Sequence, residues 1–286
     1  MNFAIPTSLP RRPRWLAAAA FLACGAAQAG APLVGLDGVG GIAFNPLAYV
    51  TGTPVADSFV GKPVVGMWYI SLGKAAIDWT TFGVATSLGK RVEVSYGFEA
   101  AAVEKLEGIH KNTFAAKVLV LNENAGGTAW VPAVSIGAKH KNTTFHVSGA
   151  TKSDGMDYYL VATKLITQLP KPVLVSAGVQ STQEQVTGLI GFNKERATIV
   201  YGNVDIIPAS WLCLGVEYRT GPDYGKAGGN YKDASYYNLH AAYFATKQLT
   251  FAGAYTNAGK NTWNGGESGD KLGFGGGFVV SMHYTF

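Results

Sequence analysis

Residues 272–286 read LGFGGGFVVSMHYTF, and the alternation within them decides the fold. One parity carries Leu272, Phe274, Gly276, Phe278, Val280, Met282, Tyr284 and Phe286; the other carries Gly273, Gly275, Gly277, Val279, Ser281, His283 and Thr285. A period of two with one greasy face and one small or polar face is the mark of a strand. A soluble sandwich shows the same alternation over roughly half this length. A strand tilted across a bilayer needs about 9–11 residues, which this stretch supplies with its flanks.

The other end of the chain gives an address. Arg11, Arg12 and Arg14 precede an apolar run, and Ala27-Gln28-Ala29 forms a small-x-small cleavage site, so residues 1–29 are expected to be a cleaved signal peptide. That site is preferred over a loose lipobox ending at Cys24 and a loose twin-arginine reading of Arg11-Arg12. Cleavage removes three of the 23 basic residues and none of the 18 acidic ones, leaving 20 against 18. The chain's basicity is therefore mostly targeting sequence, and a nucleic-acid partner is not expected. Cys213 is left as a lone thiol, so no internal disulfide framework forms. Beyond the signal no run of 18 apolar residues occurs. With 37 glycines, 12% aromatics and only 14% charged residues, the membrane-crossing form consistent with this composition is a closed barrel.

Twelve strands are expected, near 64–73, 77–88, 90–101, 112–123, 129–140, 157–167, 172–183, 196–207, 210–220, 234–246, 248–258 and 272–286. Their connections alternate between tight (88–90, 169–171, 208–209, 246–247) and long and polar (102–111, 141–156, 184–195, 221–233, 259–271). Barrels of the bacterial outer membrane put short turns in the periplasm and long loops outside. The 122–128 connection and the short 73–76 link fit this scheme less well. Residues 143–149 are an alternative extra strand, which would raise the count to 13 or 14. The domain reading is signal peptide 1–29, Gly-rich lead or plug 30–62, and transmembrane antiparallel β-barrel 63–286, an all-β fold.

The faces follow from parity. Val92, Val94, Tyr96 and Phe98 oppose Arg91, Glu93 and Glu99; Leu212, Leu214, Val216 and Tyr218 oppose Cys213, Glu217 and Arg219. A cation facing lipid at mid-bilayer costs about 2–4 kcal/mol, so the charged parity is the lumen. The expected lumen lining is Arg91, Glu93, Glu99, Lys117, Lys139, Lys164, Asp205, Glu217, Arg219, Tyr236 and His240. Two aromatic girdles are expected: Trp130, Trp211, Tyr243, Tyr284 and Phe286 at the periplasmic side, Phe98, Tyr159, Tyr218, Tyr237 and Tyr255 at the outer side.

The terminal Phe286, following Tyr284 and Met282 on one face, resembles the C-terminal signature of bacterial outer-membrane barrels, which the assembly machinery reads. The pattern Pro132 to Lys139, then Tyr158 to Lys164, resembles paired strands of proteobacterial outer-membrane barrel families. These include the phenol-degradation MetA-pathway type and a domain-of-unknown-function family whose mature N-terminus is similar to residues 35–47 here. The resemblance implies a barrel in the outer membrane of a Gram-negative bacterium, in contact with lipid and lipopolysaccharide, handed over by the barrel-assembly machinery. It suggests passage of a small-molecule solute.

Catalytic and metal chemistry find little footing. The spacing Gly35-x-x-Gly38-x-Gly40 lacks the βαβ setting of a nucleotide loop. His146-Val147-Ser148 resembles the His and Ser of the outer-membrane phospholipase, but Leu160 stands where that family places its Asn, and Gly149-Ala150 replaces its Asn-Gly. His110, His140, His240 and His283 show no metal spacing, and no cofactor is expected. The expected function is a narrow passive channel rather than an enzyme; the alternative is a filled structural or surface-interaction barrel, with a lipid hydrolase as a remote third.

Overall fold

The computed structural model describes residues 33–72, 77–103, 106–144, 152–259 and 275–286. The signal segment, the His146 and Ser148 pair and residues 272–274 lie outside the described residues. Twelve antiparallel strands close into a barrel: β1 (Val64–Leu72), β2 (Ile77–Leu88), β3 (Val92–Val103), β4 (Leu106–Leu121), β5 (Ala133–Thr143), β6 (Asp154–Ile166), β7 (Val173–Glu184), β8 (Phe192–Ala209), β9 (Leu212–Arg219), β10 (Tyr236–Phe244), β11 (Leu249–Asn257) and β12 (Gly276–Thr285). Each strand pairs with its sequence neighbours, and β12 returns to β1 with Val64 opposite Thr285 and Ser71 opposite Phe278. Closure pairs every edge, which is what a strand structure in hydrocarbon requires.

The burial pattern is that of a soluble protein turned inside out. Leu239, Tyr218, Phe278, Val280, Met282 and Val200 are exposed, while Lys111, Lys117, Lys139 and Glu217 are fully buried. The apolar face is the outer one, as a barrel that meets lipid requires, and many of the charged groups pair with one another within. Trp130, Trp211, Tyr243, Tyr284 and Phe286 are exposed at the short-turn end. At the other end Tyr158, not Tyr159, faces outward: Tyr159 shares its parity with Asp157 and Thr163 and is buried inside. Leu239 sits at the centre of β10 on the outer face. Leu239→Arg is expected to lower the unfolding free energy in phospholipid vesicles by about 2–4 kcal/mol. A urea titration of the folded protein checks this; no change would mean that the position does not face hydrocarbon.

Several strands run further toward the long-loop end than sequence pattern suggests. β4 begins at Leu106, so most of the polar stretch 102–111 is strand; β5 continues to Thr143 and β8 starts at Phe192. Residue 143 ends β5 and does not begin a strand of its own. At the opposite end, Gly89 and Lys90 both take positive φ (56° and 64°), the two-residue turn whose twist matches the strands it joins.

Candidate functional site

The inward residues of twelve strands leave a space that residues 33–52 fill. Nearly all of that segment is buried, whereas residues 53–62 lie against the turn-end rim: Gly61 N donates to Ser87 O, and Gly89 N to Phe59 O. The segment has no helix or named strand; part of its main chain bonds within itself, as Leu36 N does to Ala43 O and Leu47 N to Gly40 O, and other groups turn to the wall for partners. The wall's carboxylates provide them. Glu93 accepts from Gly40 N at 2.9 Å and Thr51 N at 2.7 Å, and Lys117 at 2.8 Å completes the ion pair. The same ammonium donates to the carbonyls of Gly40 and Leu47.

Opposite, Glu217 accepts from Phe44 N at 3.0 Å and Asn45 N at 2.7 Å. The Asn45 amide donates to the carbonyls of Gly202 and Tyr218, between two strands. Behind Glu217 runs a chain of side chains: Asn238 donates to it, His240 Nδ1 meets Asn238 Oδ1 at 2.7 Å, and His240 Nε2 meets Asp205 at 2.6 Å. Ala48 is held through both its main-chain groups, N–H to Thr163 and C=O from Ser135. Val34 bridges the closing seam, with its N–H toward His283 Nδ1 on β12 and its C=O accepting from the Trp68 indole on β1.

Close approach of two backbones makes this packing work, and glycine is required where they touch. Gly38 has φ of 85° and lies against the Tyr96–Gly97 peptide; a Cβ on Gly97 would stand 2.5 Å from the Asp37 carbonyl carbon. Beside it the Asp37 carboxylate meets the Lys139 ammonium at 2.9 Å. Burial works against ionisation of Asp37, but Lys139, helped by Lys141 and Lys111, outweighs it and holds the carboxyl well below the usual range.

Toward the long-loop end the lumen charges pair among themselves. Lys111 meets Glu99 at 2.6 Å; Lys141 meets Asp157 at 3.0 Å and Glu184 at 2.6 Å; Arg219 closes on Glu184. Two connections fold inward over this network. Residues 185–191 turn into the mouth, and residues 220–235 lie across them: the Asp233 carboxylate accepts from Val186 N at 2.7 Å and the Tyr231 hydroxyl at 2.5 Å, and the Tyr224 hydroxyl donates to Glu184 O. Burial pushes Asp233 up to about 7, against the hydrogen bonds from Tyr231 and Val186 and the charge of Arg219. The native loop thus binds a proton more readily than the free loop from about pH 4 to about pH 7, so its docking weakens as pH rises through that window. Protease nicking within 220–235 is expected to increase from about pH 5.5 to about pH 8, and Asp233→Asn, fixed in the neutral form, to remove the increase. Equal nicking profiles for both proteins would dismiss this carboxyl as the cause.

Of the expected lining, Glu93, Glu99, Lys117, Lys139, Asp205, Glu217, Arg219, Tyr236 and His240 lie inside. Two residues are placed differently. Arg91 is exposed in the β2–β3 turn and donates to the Leu119 carbonyl: it has the right parity, but the strand begins only at Val92. Lys164 follows the inward Thr163 and so falls out of phase; its ammonium is held at the turn-end rim by Glu123 at 3.0 Å and by Asn124. Lys111, Lys141, Asp157 and Glu184 complete the network. The signal for them was available: continuing the inward parity of Lys117 and Lys139 toward the long-loop end reaches Lys111 and Lys141.

A closed twelve-stranded antiparallel barrel with an apolar exterior and a polar interior has the architecture of the outer-membrane type of β-barrel. A family model described as "Protein of unknown function (DUF3034)" matches residues 30–269, and the chain belongs to that family. No curated protein matches. Among solved structures, the chain is similar to the KdgM porin (TM-score 0.52, 11% identity, covering 78% of this chain and 99% of that one). It also matches the KdgM porin in complex with disordered oligogalacturonate (0.48, 10%, 78% and 99%) and Omp33 of Acinetobacter baumannii (0.45, 9%, 80% and 99%). At these identities the likeness is one of fold.

Proposed function

We propose that this barrel is a narrow passive channel for small solutes, held shut by its own residues 33–52. The observation that carries the reading is the origin of the lumen's filling. The wall's side chains do not fill the lumen by themselves; a separate segment occupies it, bound through main-chain hydrogen bonds to Glu93 and Glu217. A segment without strand pairing to the wall leaves with fewer broken bonds than a strand, and its departure uncovers a charged conduit. The cleaved signal and the placing of the short-turn end in the periplasm belong to the same proposal. So does kinship with the MetA-pathway barrels, which carries no solute with it.

Planar-bilayer recordings of the refolded protein test the reading. The wild type is expected to open rarely, and Glu217→Ala, which leaves Phe44 N and Asn45 N without their acceptor, to open more often. A barrel that stays silent in both forms, with folding verified, is a structural or surface-interaction body whose loops then become the working parts.

A further inference from the structure

Residues 53–62 bring the chain out of the lumen to the short-turn rim, and they carry two large apolar side chains on the outside. Thr53 and Lys62 exchange both main-chain hydrogen bonds, and between them Asp57 takes a φ of 62°. Phe59 and Val60 then run along the end of β2: Val60 is bridged to Leu88, Gly61 N donates to Ser87 O, and Gly89 N to Phe59 O. Parity sets the direction. A Cβ on Gly61 would meet the hydroxyl of the inward Ser87, so Val60 points outward with Leu88, on the parity of the exposed Phe82. Phe59 is 71% exposed and Val60 49%. The Phe59 ring lies over Gly89, where a Cβ would stand 3.0 Å from it. Charge surrounds this patch. The β2–β3 turn under the ring has no aromatic residue of its own but two exposed cations, Lys90 and Arg91, and Lys62 is exposed on the other flank. Asp57 is the single acid in residues 53–62 and 89–91. Neither lysine has an ion-pair partner among the described residues.

We propose that residues 53–62, together with the β2–β3 turn, are an anchor for anionic glycerophospholipid. Phe59 and Val60 enter the boundary between acyl chains and head groups in the leaflet at the short-turn end, and Lys62, Lys90 and Arg91 meet the phosphates there. The occupant follows from two features of the patch. It continues the apolar outer face of β2, so the lipid that covers that face reaches it without a gap. Its rim is cationic, which complements a negatively charged head group and suits long side chains that keep their charge in the interface. The anchor goes beyond the channel reading and stands without it. It fixes at the membrane the point from which residues 33–52 enter the lumen.

The test uses the protein from residue 30 onward, refolded in phosphatidylcholine vesicles, with Cys213→Ala removing the native thiol and Val60→Cys carrying a bimane label. Phosphatidylglycerol or phosphatidylcholine with a nitroxide high on its acyl chain is added as quencher, and iodide reads access from water. Lipid quenching is expected, with phosphatidylglycerol reaching half-effect at about one-fifth the mole fraction that phosphatidylcholine needs. Lys62→Gln with Lys90→Gln should bring the two lipid curves together while quenching persists. Phe59→Ser should weaken quenching by both lipids and admit iodide. Quenching by iodide in place of lipid, or equal quenching by the two lipids with both lysines present, overturns the anchor. Both of those outcomes are read with Phe59, Lys62 and Lys90 intact, so neither depends on whether a variant of them folds. Preferential quenching by phosphatidylglycerol in a barrel that never conducts leaves the anchor standing and removes the channel; conduction without it removes the anchor alone.

Discussion

Glu93→Ala is expected to lower the unfolding free energy by about 3–5 kcal/mol, the range found when one member of a buried ion pair is removed. The loss has two parts. Lys117 is left as a fully buried ammonium with only the Gly40 and Leu47 carbonyls around it, and Gly40 N and Thr51 N lose their acceptor. Adding Lys117→Met separates them. An apolar replacement of a whole buried pair is often neutral or better, so the double variant should recover the charge penalty and keep the deficit of the two orphaned amides. Urea unfolding in phospholipid vesicles, followed by tryptophan fluorescence, reads both. A single variant within about 1 kcal/mol of the wild type would show that Glu93 is hydrated rather than bonded to the segment.

Gly97→Val acts on the same segment from the other side. Valine suits a strand better than glycine does, so the barrel itself should tolerate the change. The new Cβ, however, lands 2.5 Å from the main-chain carbon of Asp37, where backbone and not a flexible side chain must give way. Overpacking of about 1–3 kcal/mol shifts a docked–undocked equilibrium roughly 5- to 150-fold. The expected result is a barrel that still folds, less stable toward urea by no more than the plug docking it has lost, whose bilayer openings become frequent and whose residues 33–62 become cleavable by added protease. If cleavage rises while the bilayer stays silent, the segment has left and no conduit lies behind it, which would sink the channel reading and keep the plug.

The twelve strands were legible because a period of two survives in every one of them, and because lipid on one side and paired charge on the other enforce it over long runs. Their ends were less legible for a physical reason. Lys111, Lys141 and Glu184 are strand residues, yet in one dimension a polar run near a turn looks like loop, and the partners that bury them come from other strands. Tyr159 shows the same limit: an aromatic near a strand end suggests a girdle, but its parity, shared with Asp157, places it inside. The plug was legible only as an excess of glycine. Its binding depends on contacts such as Gly40 with Glu93 and Asn45 with Glu217, which are 53 and 172 residues apart, and no local pattern encodes them.

Val34 gives the architecture a property that belongs to the whole and to none of its strands. Its peptide is clasped between Trp68 on the first strand and His283 on the last, whose rings meet edge to face with centroids 5.0 Å apart. The seam where the sheet meets itself is thus riveted from within by a third piece of chain. Parting the wall sideways, as a lipid-soluble cargo leaving into the bilayer would demand, requires that rivet to be drawn first. Departure of residues 33–52 would draw that rivet, so the closed seam and the filled lumen are held by one and the same piece of chain.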